Sequence, residues 1–266
     1  MNNYINIAMV IEYEGSRFFG FQKQLSGVRT VQGELEKALT QFAGHAINVI
    51  TAGRTDAGVH ALFQVINFTT TIKRELYSWQ RGPNSFLPSD IVIREVVNVP
   101  PEFNARHAAI SRTYHYYLSG NRIRPAMMAQ RVGFCYSQCD LDFISMREAG
   151  QYLLGMQDFS SFRASECQAR NPVRNLTHFD LVKINKDVMR FEFTANAFLY
   201  HMVRNIVGAL IFVGKHKLSV SGFGDLINAK NRYLAPPTFM PDGLYLTGVG
   251  YKESYFSYTP FPLYSI

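Results

Sequence analysis

The order of the apolar segments constrains the fold of this chain more than any other feature. Strand-like runs rich in Ile, Val and Tyr alternate with stretches whose apolar residues recur at helical spacing. In the first half the order is strand, helix, strand, strand, helix, strand, which predicts an α+β fold of split-βαβ character. The strands are expected at residues 5–13, 47–52, 62–70 and 91–97, and the helices at 31–43, with Thr30 as N-cap, and at 74–79.

The second half follows a similar order. Strands are predicted at residues 107–118, 176–184, 188–194 and 244–251, and helices at 141–154 and 199–213. We therefore expect two similar α/β domains, at residues 1–103 and 104–266. They should share a central, mainly antiparallel sheet with flanking helices and an active-site cleft between them.

The charge distribution favours a polyanionic partner. The formal net charge is +7, and 47% of the residues are hydrophobic, which is enough for a folded core. Between residues 103 and 139 there is no Asp or Glu. Guanidinium groups bind phosphate well, so we interpret this stretch as facing phosphate, with Arg106 and Arg112 among the candidate RNA-binding residues. Its arginines are Arg106, Arg112, Arg122, Arg124 and Arg131.

The sequence disfavours a disulfide-rich protein, a zinc-binding protein and a membrane protein. Cys135, Cys139 and Cys167 are too few for a disulfide framework and form no CxxC pair, so we expect buried or idle thiols and no metal. The longest apolar run, at residues 206–213, is too short to cross a bilayer. The first residues lack the pattern of a secretory signal, and we expect a cytoplasmic protein.

The segment AGRTDAGVHA is a candidate active-site loop between two predicted strands. Gly53 and Gly58 permit backbone angles that other residues avoid, and the small residues around Asp56 leave room for a substrate to reach its carboxylate. The alternative is a turn aspartate that binds its own backbone. A simple turn, however, does not need the flanking Arg54 and His60.

Arg204 lies in the apolar run AFLYHMVRNIVGALIFV. The predicted helix is apolar on nearly every face, so it should be largely buried. A buried arginine needs a compensating carboxylate, and residues 193–224 contain neither Asp nor Glu. We therefore hypothesise that Arg204 pairs with Asp56. The alternative is that Arg204 reaches water along a narrow polar stripe with His201 and Asn205.

The strand at residues 107–118 combines aromatic and basic side chains. Its alternation places Ile110, Arg112, Tyr114 and Tyr116 on one face. A tyrosine ring can stack on an unstacked base while an arginine binds phosphate, which makes Arg112 and Tyr114 candidate RNA-binding residues. Tyrosine is also an ordinary strand former, so a purely structural role is the alternative.

Eight motifs follow one another across nearly the whole length. They are YEGSRFFGFQKQ, TVQGELEKAL, AGRTDAGVHA, NSFLPSDI, FNARHAAISRTYHYYL, SFRASECQ, NAFLYHMVRNIVG and DGLYL. This ordered set resembles the tRNA pseudouridine synthase A family, and AGRTDAGVHA is highly specific. The resemblance implies isomerisation of uridine to pseudouridine in the anticodon stem-loop of tRNA. It also implies a homodimer across which the tRNA lies.

The resemblance implies roles for individual residues. Asp56 matches the catalytic aspartate of the family, and Arg54 matches the arginine that helps displace the target base. Tyr114 matches the tyrosine that stacks on the uracil, and Arg204 matches the basic residue paired with the aspartate. A simple phosphate clamp is the alternative role for Arg54.

The implied reaction is redox neutral and hydrolyses nothing, so we expect no cofactor. The sequence contains no GxGxxG or phosphate-loop pattern. An aspartate is ionised at neutral pH and could act without a separate base. It could attack the ring, attack the sugar or remove a sugar proton.

Three other functions are compatible with parts of the sequence. A non-catalytic RNA-binding module would use the basic stretch and the tyrosines but would leave Asp56 and Arg204 without a role. A metal-dependent nuclease would need clustered acids or His ligands, and the seven histidines show no HxH or HExxH spacing. A synthase of related fold could act on another RNA, because only family likeness favours the anticodon arm.

Overall fold

The computed structural model describes residues 4–137, 141–260 and 263. These residues form ten strands and five α-helices, which confirms the α+β class. The strands are β1 (Ile5–Tyr13), β2 (Ile50–Thr51), β3 (His60–Thr70), β4 (Ile91–Val99), β5 (Ala109–Asn121), β6 (Gly133–Tyr136), β7 (Gly155–Asp158), β8 (Val173–Lys183), β9 (Val188–Ala195) and β10 (Leu244–Tyr251). The helices are α1 (Val31–Ala43), α2 (Leu76–Asn84), α3 (Phe143–Gln151), α4 (Met202–Gly214) and α5 (Val220–Asn228).

The chain divides into two compact units. The first comprises Met1–Ile110 and Leu246–Ile266, and the second comprises Ser111–Tyr245. The first unit is therefore discontinuous in sequence, because its second segment, from Leu246 onward, follows the whole of the second unit along the chain. The domain boundary expected after residue 103, and the cleft between the domains, stay predictions.

In the first unit, β1 lies between β3 and β4 and pairs antiparallel with both. Thr30 caps α1 as predicted, since its hydroxyl accepts a hydrogen bond from the backbone N–H of Gly33 at 3.2 Å. The buried ring of Trp79 on α2 packs 5.4 Å from Phe68 of β3 and 5.1 Å from Phe42 of α1. Both helices are thus tied to this part of the sheet through one aromatic cluster.

A segment at residues 255–258 packs against the same unit. Phe63 of β3 stacks on Tyr258, with ring centroids 6.0 Å apart, and meets the edge of Phe256. The carboxylate of Glu95 accepts hydrogen bonds from the backbone N–H groups of Ser257 and Tyr258 and from the Ser257 hydroxyl. One acidic side chain of β4 therefore anchors a segment that lies about 160 residues further along the chain.

In the second unit, β5, β9, β8 and β7 pair antiparallel in that order, and β6 pairs parallel with β5. The buried rings of Phe191 and Phe193 on β9 stack at 6.3 Å, and Phe179 of β8 lies 5.3 Å from Phe193. Helix α3 packs closely against this layer. At Gly150 there is no room for a side chain, since a Cβ would lie only 1.9 Å from the Phe179 ring. The second unit thus has an aromatic core of its own.

Several element boundaries differ from the predictions. The strand expected at residues 47–52 is reduced to β2, and the helix expected at 74–79 is displaced to α2. Helix α4 begins three residues later than expected, after His201. Helix α5 and the short strands β6 and β7 were not predicted.

None of the helices within the described residues has the length and apolar character needed to cross a bilayer. Cys135 and Cys167 are buried, free thiols. The expectation for Cys139 lies outside the described residues.

Candidate active site

The loop that carries Asp56 connects β2 to β3. The backbone N–H of Val59 donates to the carbonyl of Asp56 at 3.2 Å, which closes a tight turn. Gly58 lies in that turn with φ of 79°, in the left-handed region that favours glycine. Gly53 has no left-handed φ, and a Cβ there would meet open space. The expectation of an unusual backbone angle is therefore correct for Gly58 and wrong for Gly53.

The segment that follows β1 contacts this loop through backbone hydrogen bonds. The N–H of Phe21 donates to the carbonyl of Thr55 at 3.0 Å, and the N–H of Gly58 donates to the carbonyl of Phe18 at 3.3 Å. Gly15 approaches so closely that a Cβ would lie 1.9 Å from the backbone oxygen of Val59. The backbone on both sides of Asp56 is therefore fixed by contacts with residues 15–21.

Two buried side chains anchor the loop further. The Tyr13 hydroxyl lies 2.8 Å from that of Thr55, and burial raises the pKa of Tyr13 to about 12, so this phenol stays neutral. His60 is 1% exposed, and its Nδ1 accepts a hydrogen bond from the N–H of Gly15 at 2.9 Å. The same Nδ1 lies 3.3 Å from a carboxylate oxygen of Glu14, so His60 links the end of the loop to the segment that follows β1.

The solvent exposure of the side chains varies along the loop, as expected for a loop that presents a reacting group to a substrate. Thr55 and Val59 are buried, Asp56 is half-buried, and Arg54 and Ala57 are exposed. The loop thus presents a carboxylate and a guanidinium from a backbone that cannot easily move. Among the six predicted site residues, Asp56 and Arg54 are brought together by this loop.

Arg112 and Tyr114 lie two residues apart on β5 and share one face of the second unit's sheet. The Nη1 of Arg112 donates to the backbone oxygen of Asn196 at 2.9 Å. The ring of Tyr114 is 8% exposed and meets Phe198 edge to face at 5.0 Å. Both predicted residues therefore contact the segment that leads from β9 to α4.

Arg204 lies in the first turn of α4. Every residue of this helix except Arg204 and Phe212 is buried, as its apolar sequence predicted. The Nε of Arg204 donates to the backbone oxygen of Phe239 at 2.8 Å. Burial raises the pKa of the neighbouring Tyr116 well above its ordinary value, and the Arg204 charge opposes that shift.

The polar stripe considered for Arg204 does not form on α4. Asn205 is completely buried, its amide donates to the carbonyl of Phe162 at 2.7 Å, and its oxygen accepts from the Thr238 hydroxyl at 2.6 Å. His201, just before the helix, has φ of 60°, a left-handed conformation that non-glycine residues seldom adopt. Such strain clusters at functional sites, and it could not be recognised in the sequence. The Asp56–Arg204 pair stays a prediction.

Arg106 lies apart from the loop of Asp56 in sequence, in the turn before β5. Its side chain is exposed, and its backbone N–H donates to the Asn104 side chain at 3.0 Å. Arg122, Arg124 and Arg131 are exposed as well. Their exposure is consistent with the predicted contact with phosphate. Over the described residues, no group of three His, Cys, Asp or Glu side chains could hold a metal ion.

Comparison with known proteins identifies relatives that match more than nine-tenths of the chain. A family profile described as tRNA pseudouridine synthase matches residues 9–107 and 149–252. A protein of Neisseria meningitidis serogroup B is 50% identical over 248 residues, which are 93% of this chain and 92% of the relative. A protein of Chromobacterium violaceum is 50% identical over 94% of this chain and 95% of its own length. One from Paraburkholderia phymatum is 45% identical over 94% and 92%. All three carry the name tRNA pseudouridine synthase A.

Proposed function

This chain belongs to the tRNA pseudouridine synthase family, and on that premise we propose that Asp56 is the carboxylate with which it acts. The family isomerises uridine to pseudouridine in the anticodon stem-loop of tRNA, so the chain is an isomerase that modifies tRNA. The observation that carries this conclusion is the identity of 50% over 93% of the chain with a relative of that name.

The reaction rearranges a single nucleotide. The bond between the anomeric sugar carbon and nitrogen 1 of uracil breaks, and the same sugar carbon bonds to carbon 5. Carbon 5 loses a proton and nitrogen 1 gains one, so atoms and electrons balance without an oxidant, a reductant or water. A correctly aimed carboxylate can assist as nucleophile or as proton acceptor.

Asp56 suits this role because its loop is rigid and its side chain is accessible. Hydrogen bonds with residues 13–21, some of them through the buried His60, hold the backbone, while the Asp56 side chain is half-buried and so reaches the surface. A fixed reacting group lowers the entropic part of the barrier. The carboxylate could attack the ring, attack the sugar or remove a sugar proton.

The other predicted residues bind the substrate in this proposal. The exposed Arg54 fills the space that the displaced base leaves, or clamps a phosphate. Tyr114 stacks on the uracil, while Arg112 and Arg106 bind phosphates of the anticodon arm. Arg204 supplies the positive charge that keeps Asp56 ionised. The protein works in the cytoplasm as a homodimer, a state that analytical ultracentrifugation tests.

The assay for this proposal is tritium release from tRNA labelled at carbon 5 of uridine. Asp56→Asn is expected to lower the rate at least about a thousandfold, as for other central catalytic groups, and to bind tRNA almost as well as the unaltered protein. Arg204→Met in the same assay tests the counter-charge. The exposed Asp225 provides a control, because Asp225→Asn removes an equal charge from α5 and should release tritium at the unaltered rate. Appreciable release by Asp56→Asn refutes the assignment.

A further inference from the structure

A loop of the second unit, at residues 159–172, concentrates positive charge. The N–H of Phe159 donates to the carbonyl of Pro172 at 3.2 Å, which closes the loop at the end of the β7–β8 hairpin. Arg163 lies within the loop, and Arg174 follows it on β8. The loop has one acidic residue, Glu166, which is exposed. Within the described residues no ion pair joins either arginine to a carboxylate.

Both guanidinium groups are held by backbone oxygens of this loop and of the first residue of β8. Arg163 Nη2 donates to the carbonyl of Cys167 at 2.5 Å, and Arg174 Nη1 donates to those of Asn171 and Val173 at 2.8 and 2.7 Å. Carbonyl oxygens orient a guanidinium but do not neutralise its charge. The Nε of Arg174 is buried and has no hydrogen-bond partner, a state that costs free energy until an acceptor arrives.

The local electrostatics agree with an excess of positive charge. Burial raises the pKa of the Cys167 thiol, but backbone N–H groups and the Arg163 charge outweigh it and leave the pKa below its ordinary value. Burial also lowers the pKa of Arg174. The neighbouring Cys167 opposes that shift, and the charge of Arg163 adds to it. An anion bound to both guanidinium groups would offset this repulsion.

The arginine pair lies at the same end of the second unit as Arg112, one of the predicted RNA-binding residues. Arg112 and Leu176 both pair with Ala195, and Arg174 precedes Leu176 by two residues on β8. Arg112 and Arg174 therefore share one face at one end of this sheet. The N–H of Ala164 donates to the carbonyl of Tyr200 at 3.1 Å, which ties the loop to the start of α4.

We propose that Arg163 and Arg174 form a subsite for a backbone phosphate of the substrate RNA. The phosphate accepts hydrogen bonds from N–H groups of the Arg163 and Arg174 guanidinium groups, and it supplies a negative charge to two arginines that have no carboxylate partner among the described residues. This inference rests on the proposed function, because tRNA modification is what brings RNA to the second unit. The subsite fixes the register of the RNA and reads no base.

The test is the salt dependence of tRNA binding, measured by filter binding from low to moderate KCl, together with steady-state tritium release. Each lost phosphate contact should reduce the slope of log K against log salt by about one. We expect this reduction for Arg163→Gln and Arg174→Gln, with affinity roughly tenfold weaker at low salt and a higher KM. The kcat at saturating tRNA should stay within about twofold of the unaltered value, since no reacting atom is touched.

Two further variants separate binding from folding. Arg147 lies on α3 in the same unit and pairs with Asp180 at 2.9 Å, so Arg147→Gln removes an equal charge elsewhere and should keep the original slope. Arg174→Lys keeps the charge but loses the planar fork, and it should keep the slope while binding more weakly. If Arg174→Gln fails to fold, Arg163→Gln and Arg174→Lys decide the matter.

Unchanged slopes and affinities in the folded Arg163→Gln and Arg174→Gln variants overturn the subsite. A lower melting temperature with unchanged binding also overturns it, because the arginines would then only hold the loop. The proposed function fails in a different way. An unaltered protein that binds tRNA but releases no tritium would lose its assigned reaction, whereas the salt slopes would still report on the subsite.

Discussion

At the scale of single residues, Asp90 is a buried carboxylate outside the candidate site that pairs with two arginines. Its side chain is 4% exposed and accepts two hydrogen bonds of 2.9 Å from Arg29, while Arg17 lies 3.1 Å away. Its own carbonyl accepts from the N–H of Glu14 at 3.0 Å. Asp90 thus holds both Glu14 and Arg29, the two ends of the segment 14–29. Residues 15–21 of this segment contact the loop of Asp56.

Replacing Asp90 by Asn should lower the free energy of unfolding by about 2 kcal/mol at neutral pH, because the charged hydrogen bonds are lost. Burial opposes ionisation, but the two arginines hold the pKa of Asp90 below its ordinary value. Its stabilisation is therefore present above the unfolded pKa and lost as pH falls through the folded one. Urea unfolding measures the loss, with the exposed Glu148→Gln as control. A loss below about 0.5 kcal/mol, equal to that of the control, contradicts this role.

Single residues also define what the sequence could reveal about the site. The loop of Asp56 was recognisable because glycines bracket one acid, and Thr30 because a capping residue precedes a periodic run. Arg163 and Arg174 were not recognisable as a pair. Their charges are uncompensated because their hydrogen bonds go to backbone oxygens and no carboxylate of the described residues pairs with them. Those are properties of the folded loop and leave no local pattern in the sequence.

At the scale of elements, predictions succeeded where local pattern and tertiary structure agree. The bounds of β1, α1 and β10 match those predicted, because β-branched runs or helical periodicity end at clear stop signals. Helix α5 was missed because Gly222 and Gly224 weaken its local preference, while burial of Phe223 and its neighbours stabilises it. Strand β6 has four residues and depends on its register with β5, which its sequence does not encode.

Helix α4 offers a test in which propensity and packing oppose each other. Gly208 lies inside the helix, where alanine would ordinarily add up to about 1 kcal/mol. A Cβ there, however, would lie 2.6 Å from the backbone oxygen of Pro237, which cannot rotate away. We expect Gly208→Ala to destabilise the protein by about 1–3 kcal/mol, because overpacking outweighs propensity.

Thermal or urea unfolding measures this effect. Gly53→Ala is the matched substitution, because its Cβ would meet open space and its φ is not left-handed. It should leave stability unchanged or slightly higher. Equal stability of the two variants would show that the backbone around Pro237 yields at little cost.

At the scale of the whole molecule, Glu95 links parts of the chain that are distant in sequence. Burial raises the pKa of its carboxyl, but hydrogen bonds from Ser257 and Tyr258 outweigh burial and leave the pKa below its ordinary value. The link is therefore fully present above the unfolded glutamate pKa of about 4.3 and is lost as pH falls through the folded value. Low pH should therefore weaken the contact between Glu95 and residues 257–258.

Amide hydrogen exchange at Ser257 and Tyr258 tests this contact. Protection, corrected for the intrinsic pH dependence of exchange, should fall as pH drops from about 6 to 3. Glu95→Gln should remove that dependence, because a glutamine does not titrate in this range, whereas Glu148→Gln should retain it. The same pH dependence in Glu95→Gln and the unaltered protein would assign it to another group.

The discontinuity of the first unit has a consequence for how the protein is made. A ribosome completes β1, β3 and β4 early, yet Phe63 and Glu95 must wait for residues 256–258 to emerge. Domains usually fold in the order in which they are translated. Here the second unit, synthesised as one uninterrupted stretch, can finish first, while the nascent first unit leaves Phe63 uncovered until residues 256–258 have left the ribosome.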